Sequence, residues 1–133
     1  MAGPFRRSSL SLVIFLWISP LLHAQAPQDQ AWTVLKDGLA NKDVENRAVA
    51  VHLLGTLVHN AQASDLALKA LKDERPEVRA AAADTLGQLK VRSAVPQLTT
   101  IVQKDTDPGV VIAAARALVS LDVPLDMASS TLC

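Results

Sequence analysis

The residues best suited to chemistry in this sequence are His52, Asp84 and Arg116, which follow one another at intervals of 32 positions. A histidine, a carboxylate and a base can perform acid–base catalysis when they lie within about 3 Å of one another. On neighbouring packed helices they would stand about 8–10 Å apart, and no serine or cysteine accompanies them at helical spacing. The pattern therefore favours a solvated polar row, whose functional form would be a binding face.

Metal and cofactor motifs are missing from the sequence. His52 and His59 are seven residues apart, so on one helix they would be separated by about 10 Å and could not share an ion. The sequence has no glycine-rich phosphate loop and no pair of cysteines. We therefore expect no catalytic residue, no metal and no cofactor.

The interval of 32 residues extends well beyond these three positions. The segments 41–57, 73–89 and 105–121 align without a gap. The apolar positions that match fall at intervals of four, four and three, and so on one face of a helix. They are Val78 and Val110, then Ala50, Ala82 and Ala114, then Leu54, Leu86 and Leu118, and finally Leu57, Leu89 and Leu121.

Another helix precedes each of these segments. Val34, Leu66 and Leu98 align in it, and proline begins the second helix of two units, at Pro76 and Pro108, where its missing N–H costs little. Each unit is thus predicted to be a helix, a turn and a helix, near residues 30–58, 62–90 and 94–122. Three such hairpins are about the minimum that buries a continuous core. Gly55 and Gly87, predicted inside second helices, would let the next unit approach closely, and Val119 replaces them in the last unit.

The segment "DERPEVRAAAADTLGQL" at 73–89 closely resembles HEAT-like repeats, in particular the short variety of phycobilisome lyases. The resemblance implies an all-α fold, an α-solenoid whose second helices line the concave side, and a role in holding other macromolecules. It also implies a structural ladder between repeats, formed by a turn aspartate and a helix arginine. Arg47, Asp73, Arg79 and Asp105 match those positions, whereas Asn41 replaces the first aspartate and Val111 the last arginine.

The N-terminal residues have the pattern of a secretory signal peptide. Arg6 and Arg7 precede an apolar run from Leu10 to Ile18, which is shorter than the roughly 20 residues of a membrane span. We predict a signal peptide at 1–24 with cleavage near Ala24, repeats within 25–122, a tail at 123–133 and no membrane span after cleavage. The exported chain would hold eleven Lys and Arg against thirteen Asp and Glu, a balance that disfavours nucleic acid as a partner. The single Cys133 excludes an internal disulfide.

These features together predict a non-catalytic scaffold, secreted or periplasmic, that binds a protein partner. A bilin lyase-like enzyme subunit is an alternative, since such repeats occur there, although those enzymes work in the cytoplasm. A second alternative is a terminal piece of a longer array. The last unit is unusually apolar, with Val111 and Ile112 at the positions of Arg79 and Ala80, so its outer face needs a cover, which the tail, another unit or a partner could supply.

Overall fold

The computed structural model describes residues 27–123 and is helical, with no strand in that range. The predicted signal peptide and all of the predicted tail except Val123 lie outside the described residues. The chain divides into two compact units, Met1–Thr33 and Val34–Cys133. Only the opening turns of the first helix are described for the first unit, and the packing considered below belongs to the second.

Within residues 27–123, six α-helices follow one another as three successive pairs, as expected for an α-solenoid. The first pair is α1 (Pro27–Leu39) with α2 (Val44–Leu54), and the second is α3 (Ala61–Ala70) with α4 (Pro76–Gln88). The third is α5 (Val95–Lys104), preceded by a 3₁₀ turn at Arg92–Ala94, with α6 (Pro108–Ser120). The predicted all-α fold class is therefore confirmed.

Helix starts are set by short polar side chains and by proline. Asp43, Asn60 and Asp107 each accept a hydrogen bond from the backbone N–H three residues on, at 3.1 Å, which satisfies a donor that has no partner within the helix. Pro76 and Pro108 stand at the first helical positions. These signals mark the starts of α2, α3, α4 and α6.

Helix ends use a left-handed residue that is not glycine. Lys90 and Asp122 have φ values of 55° and 57°, and the next N–H of each bonds back to Leu86 or Leu118 across 3.1 Å. This bonding defines a Schellman motif, in which glycine is the usual residue. A side chain at this position costs about 1–2 kcal/mol. Replacing either residue with glycine would therefore relieve backbone strain.

The core lies along the second helices. The repeat-matched leucines Leu54, Leu86 and Leu118 are fully buried, and Ala50, Ala82 and Ala114 are at most 5% exposed. The burial of the first helices is graded along the chain, because Leu98 is fully buried, Leu66 is partly exposed, and Val34 is 72% exposed. Val34 is exposed although it aligns with Leu98, because no preceding helix pair covers it among the described residues.

Two second helices, α4 and α6, come close together at Gly87, near the end of α4. A Cβ built there would lie 3.0 Å from the Ala117 Cα and 2.8 Å from the Ser120 Oγ of α6. Gly55, its repeat equivalent, would meet the far end of the Gln88 side chain instead. Gly55 follows α2 as its C-cap, so its predicted place inside a helix was wrong, because α2 ends two residues earlier than α4 in the repeat register.

Thr85 ties α4 to the end of α2. Its side chain is fully buried, and its Oγ1 donates to the Val51 carbonyl across 3.0 Å. In a regular helix the Gly55 N–H would reach that carbonyl, but here it bonds to His52. Thr85 therefore supplies a donor where the backbone of α2 turns away.

Candidate protein-binding surface

The turn between the helices of each pair is closed by one side chain. Asn41, Asp73 and Asp105 each accept the backbone N–H two residues on, across 2.9–3.0 Å. Asparagine at the first position keeps this function because its amide oxygen accepts a hydrogen bond as a carboxylate does. Only the aspartates add a charge, which an arginine of another repeat can use.

Each ladder arginine joins its own turn to the turn of the next repeat. Arg47 donates from Nε and Nη2 to the two carboxylate oxygens of Asp73, across 3.1 and 3.0 Å. Arg79 binds Asp105 in the same way, across 2.9 and 3.0 Å. The remaining nitrogen of each arginine, Nη1, bonds to carbonyl oxygens of its own turn, such as that of Asn41 at 2.8 Å. The structure thus brings the four predicted ladder residues together as two pairs.

The ladder carboxylates are held in their ionised form. The hydrogen bonds from Arg79 lower the pKa of Asp105 below its ordinary value, against the opposing effect of burial. For Asp73, burial alone would raise the pKa, but the bonds from Arg47 and from the Arg75 N–H outweigh it, so this pKa is also lowered. Both pairs are mostly shielded from water, with side-chain exposures of 9–19%. Each pair thus joins the turns of two successive repeats.

Only two of the three residues of the predicted polar row are in contact, Asp84 and Arg116. Arg116 Nη2 reaches both carboxylate oxygens of Asp84, at 3.0 and 2.9 Å. The expectation that neighbouring members would stay a helix spacing apart was therefore wrong for this pair, because the long arginine side chain spans the gap. His52 is exposed, and Asp84 makes its ion pair with Arg116. The row is thus one inter-repeat ion pair beside a separate histidine.

This ion pair lies on the exposed face of the second helices. The Arg116 side chain is 66% exposed and that of Asp84 27%, so the pair adds little to stability. Ile112 lies one turn before Arg116 and is 59% exposed, whereas the equivalent Ala80 is small and half-buried. We call the exposed side chains of α2, α4 and α6 around these residues the second-helix face. It combines a charged pair with an apolar side chain that is free to contact a partner.

Two further exposed apolar residues lie outside the apolar positions that match between the repeats. Val49 and Leu53 of α2 are each 52% exposed. Their repeat equivalents, Ala81 and Thr85 in α4, are buried against α2. A signal was present in the sequence, because these two positions hold large side chains only in the first repeat.

The described residues contain no group of three His, Cys, Asp or Glu side chains placed to hold a metal ion. None of the helices between residues 27 and 123 is both long enough and apolar enough to cross a membrane. The second-helix face combines paired charges, an exposed histidine and an exposed isoleucine.

Comparison with known families gives a match that covers most of the described chain. A model of HEAT repeats matches residues 33–123, which extend from the second half of α1 to the end of the third helix pair. A search of curated proteins found no match.

Proposed function

Because the chain belongs to the HEAT-repeat family, whose repeats commonly mediate contacts between proteins, we propose that it is a non-catalytic scaffold that binds a protein partner through the second-helix face. The repeats themselves would be of the short variety found in phycobilisome lyases, in keeping with their period of 32 residues.

The observation that carries this proposal is the neighbourhood of Ile112 and Arg116. An isoleucine that is 59% exposed is an apolar anchor, and the adjacent charges can steer a partner and fix its register. Arg116 is attached to the preceding repeat through Asp84, so the face is presented by two packed helices rather than by a mobile loop. Binding to such a rigid surface costs little ordering entropy.

Photo-crosslinking can test this face with a matched pair of positions. A photoreactive residue replaces either Gln88, at the end of α4 on the second-helix face, or Gln97, on α5; both glutamines are exposed. In extracts of the native source, we expect a protein to be trapped from position 88 and not from position 97. Asp84→Lys combined with Arg116→Glu should reduce the yield of crosslinked protein. The reversed ion pair still attracts across the two repeats, but it presents the opposite charges to the partner. Equal trapping from both positions would refute the proposal.

Export is a second part of the proposal and is tested separately. Arg6, Arg7 and the apolar run that ends at Ile18 form the pattern that supports it. We expect the exported protein, secreted or periplasmic, to begin near Gln25 when its N-terminus is sequenced. Soluble exported material that retains Met1 would contradict the cleavage.

A further inference from the structure

A cleft opens on the side of the molecule formed by the first helices. It lies between the end of α1 and α3, above buried side chains of α2 and α4, and has a volume of about 570 Å³. Such a volume falls within the range of roughly 300–1,000 Å³ that is usual for ligand clefts. Leu39 and Leu66 contribute apolar walls, and Lys36, Lys69 and Lys72 also line it.

The corresponding positions between the second and third pairs carry larger apolar residues. In the 32-residue register, Ile101 and Val102 of α5 replace Lys69 and Ala70 of α3. The leucine equivalent to Leu66, Leu98, is fully buried, whereas Leu66 itself remains partly exposed. The cleft between the first and second pairs is thus lined by a charged and a small residue where the next repeat has two large apolar ones.

The charge around the cleft is unbalanced. Lys36, Lys69 and Lys72 are all exposed, and none of them makes an ion pair within residues 27–123. The acidic residue of the lining, Asp73, is already bound by Arg47 and by the Arg75 N–H. Anionic groups of a ligand would thus meet three ammonium groups and no free carboxylate of the lining.

We propose that this cleft binds a short segment of a partner protein in which an apolar side chain is flanked by acidic residues. The apolar side chain would lie against Leu39 and Leu66. The lysines come from α1, from α3 and from the turn after α3. They would therefore pair with several separate carboxylates on both sides of the apolar side chain rather than with one anionic group. This surface is distinct from the second-helix face, and each can be tested without the other.

Selection from a random phage-displayed peptide library on the purified protein tests the chemistry. We expect the enriched peptides to carry Asp or Glu on both sides of a Leu, Ile or Phe, and to bind more weakly as salt rises. Lys72→Glu should weaken their binding by about tenfold, whereas Lys104→Glu, at the same repeat position outside the cleft, should leave it unchanged. Peptides without acidic enrichment, or equal losses in both variants, would overturn the proposal.

A filling variant supplies the second test. The double variant Lys69→Ile with Ala70→Val places the larger apolar residues of the next repeat in the cleft. It should therefore abolish peptide binding while the melting temperature stays equal or rises. Retained binding would exclude the cleft. Vesicles of phosphatidylglycerol and single-stranded DNA serve as alternative anionic probes. If the protein binds either of them instead of peptides, and the Lys72→Glu variant loses that binding, the proposal is also overturned. Asp84→Lys with Arg116→Glu should not affect the selected peptides, which separates this result from that of the second-helix face.

Discussion

Alanine substitution at the two repeat-equivalent glycines should have opposite outcomes. In Gly87→Ala the new Cβ would lie 3.0 Å from the Ala117 Cα and 3.2 Å from its Cβ, so α6 must move away. Overpacking of this kind costs about 1–3 kcal/mol, and the better helix propensity of alanine returns about 1 kcal/mol. We expect a net loss of up to about 2 kcal/mol, where the ends of α4 and α6 meet.

Gly55→Ala is the matched control. Its new Cβ would clash with the Oε1 of Gln88, but Gln88 is exposed and its side chain can rotate away. We expect the free energy of unfolding to stay unchanged or to rise slightly. Thermal and urea melts followed by circular dichroism measure both variants, with roughly 4–8 °C expected for each kcal/mol in a domain of this size. If Gly87→Ala melts at or above the temperature of Gly55→Ala, the close approach of α4 and α6 is not the constraint inferred here.

Three further changes test other contacts by the same melts. Thr85→Val keeps the shape but removes the donor to the buried Val51 carbonyl, which should cost about 1–3 kcal/mol; an unchanged melting temperature would contradict this. Asp122→Gly relieves a left-handed residue and should stabilise by about 1 kcal/mol, because its exposed 4.0 Å contact with Arg92 contributes little; a loss would contradict it. Since the pKa values of Asp73 and Asp105 are lowered from 3.8 in the folded chain, the stability that they confer is present above that value and declines as pH falls through the lowered pKa values. Asp105→Asn should therefore melt below the parent at neutral pH and approach it below about pH 4, and a gap that does not narrow would refute the ladder's ionic contribution.

The helices could be predicted from sequence because local signals and the repeat agree. Pro108 and Asp107 mark the start of α6, and Leu54, Leu86 and Leu118 face the core as their spacing requires. The second-helix face was less accessible to such reasoning. A helix spacing of 8–10 Å says nothing about the reach of a side chain, so the contact of Arg116 with Asp84 was not foreseen.

Other features are not visible at the positions where the repeats carry the same residue. The alignment of Val34 with Leu98 described the register correctly but not the burial, because burial depends on the neighbouring pair. The left-handed Lys90 gave no signal, since the expected residue there is glycine. The lysine cleft follows from Lys69 and Ala70 standing where the next repeat has Ile101 and Val102. An alignment that records only matching positions passes over all three.

The open first junction also bears on the order in which the array folds. α2 has three buried residues, whereas α4 has seven and α6 has five. In a linear array, stability is roughly a sum of unit and neighbour terms, and folding propagates from the best-packed units. We therefore expect the second and third pairs to form the nucleus and the first pair to join last. On the ribosome this reverses the order of synthesis, because the pair that emerges first must wait for its successors.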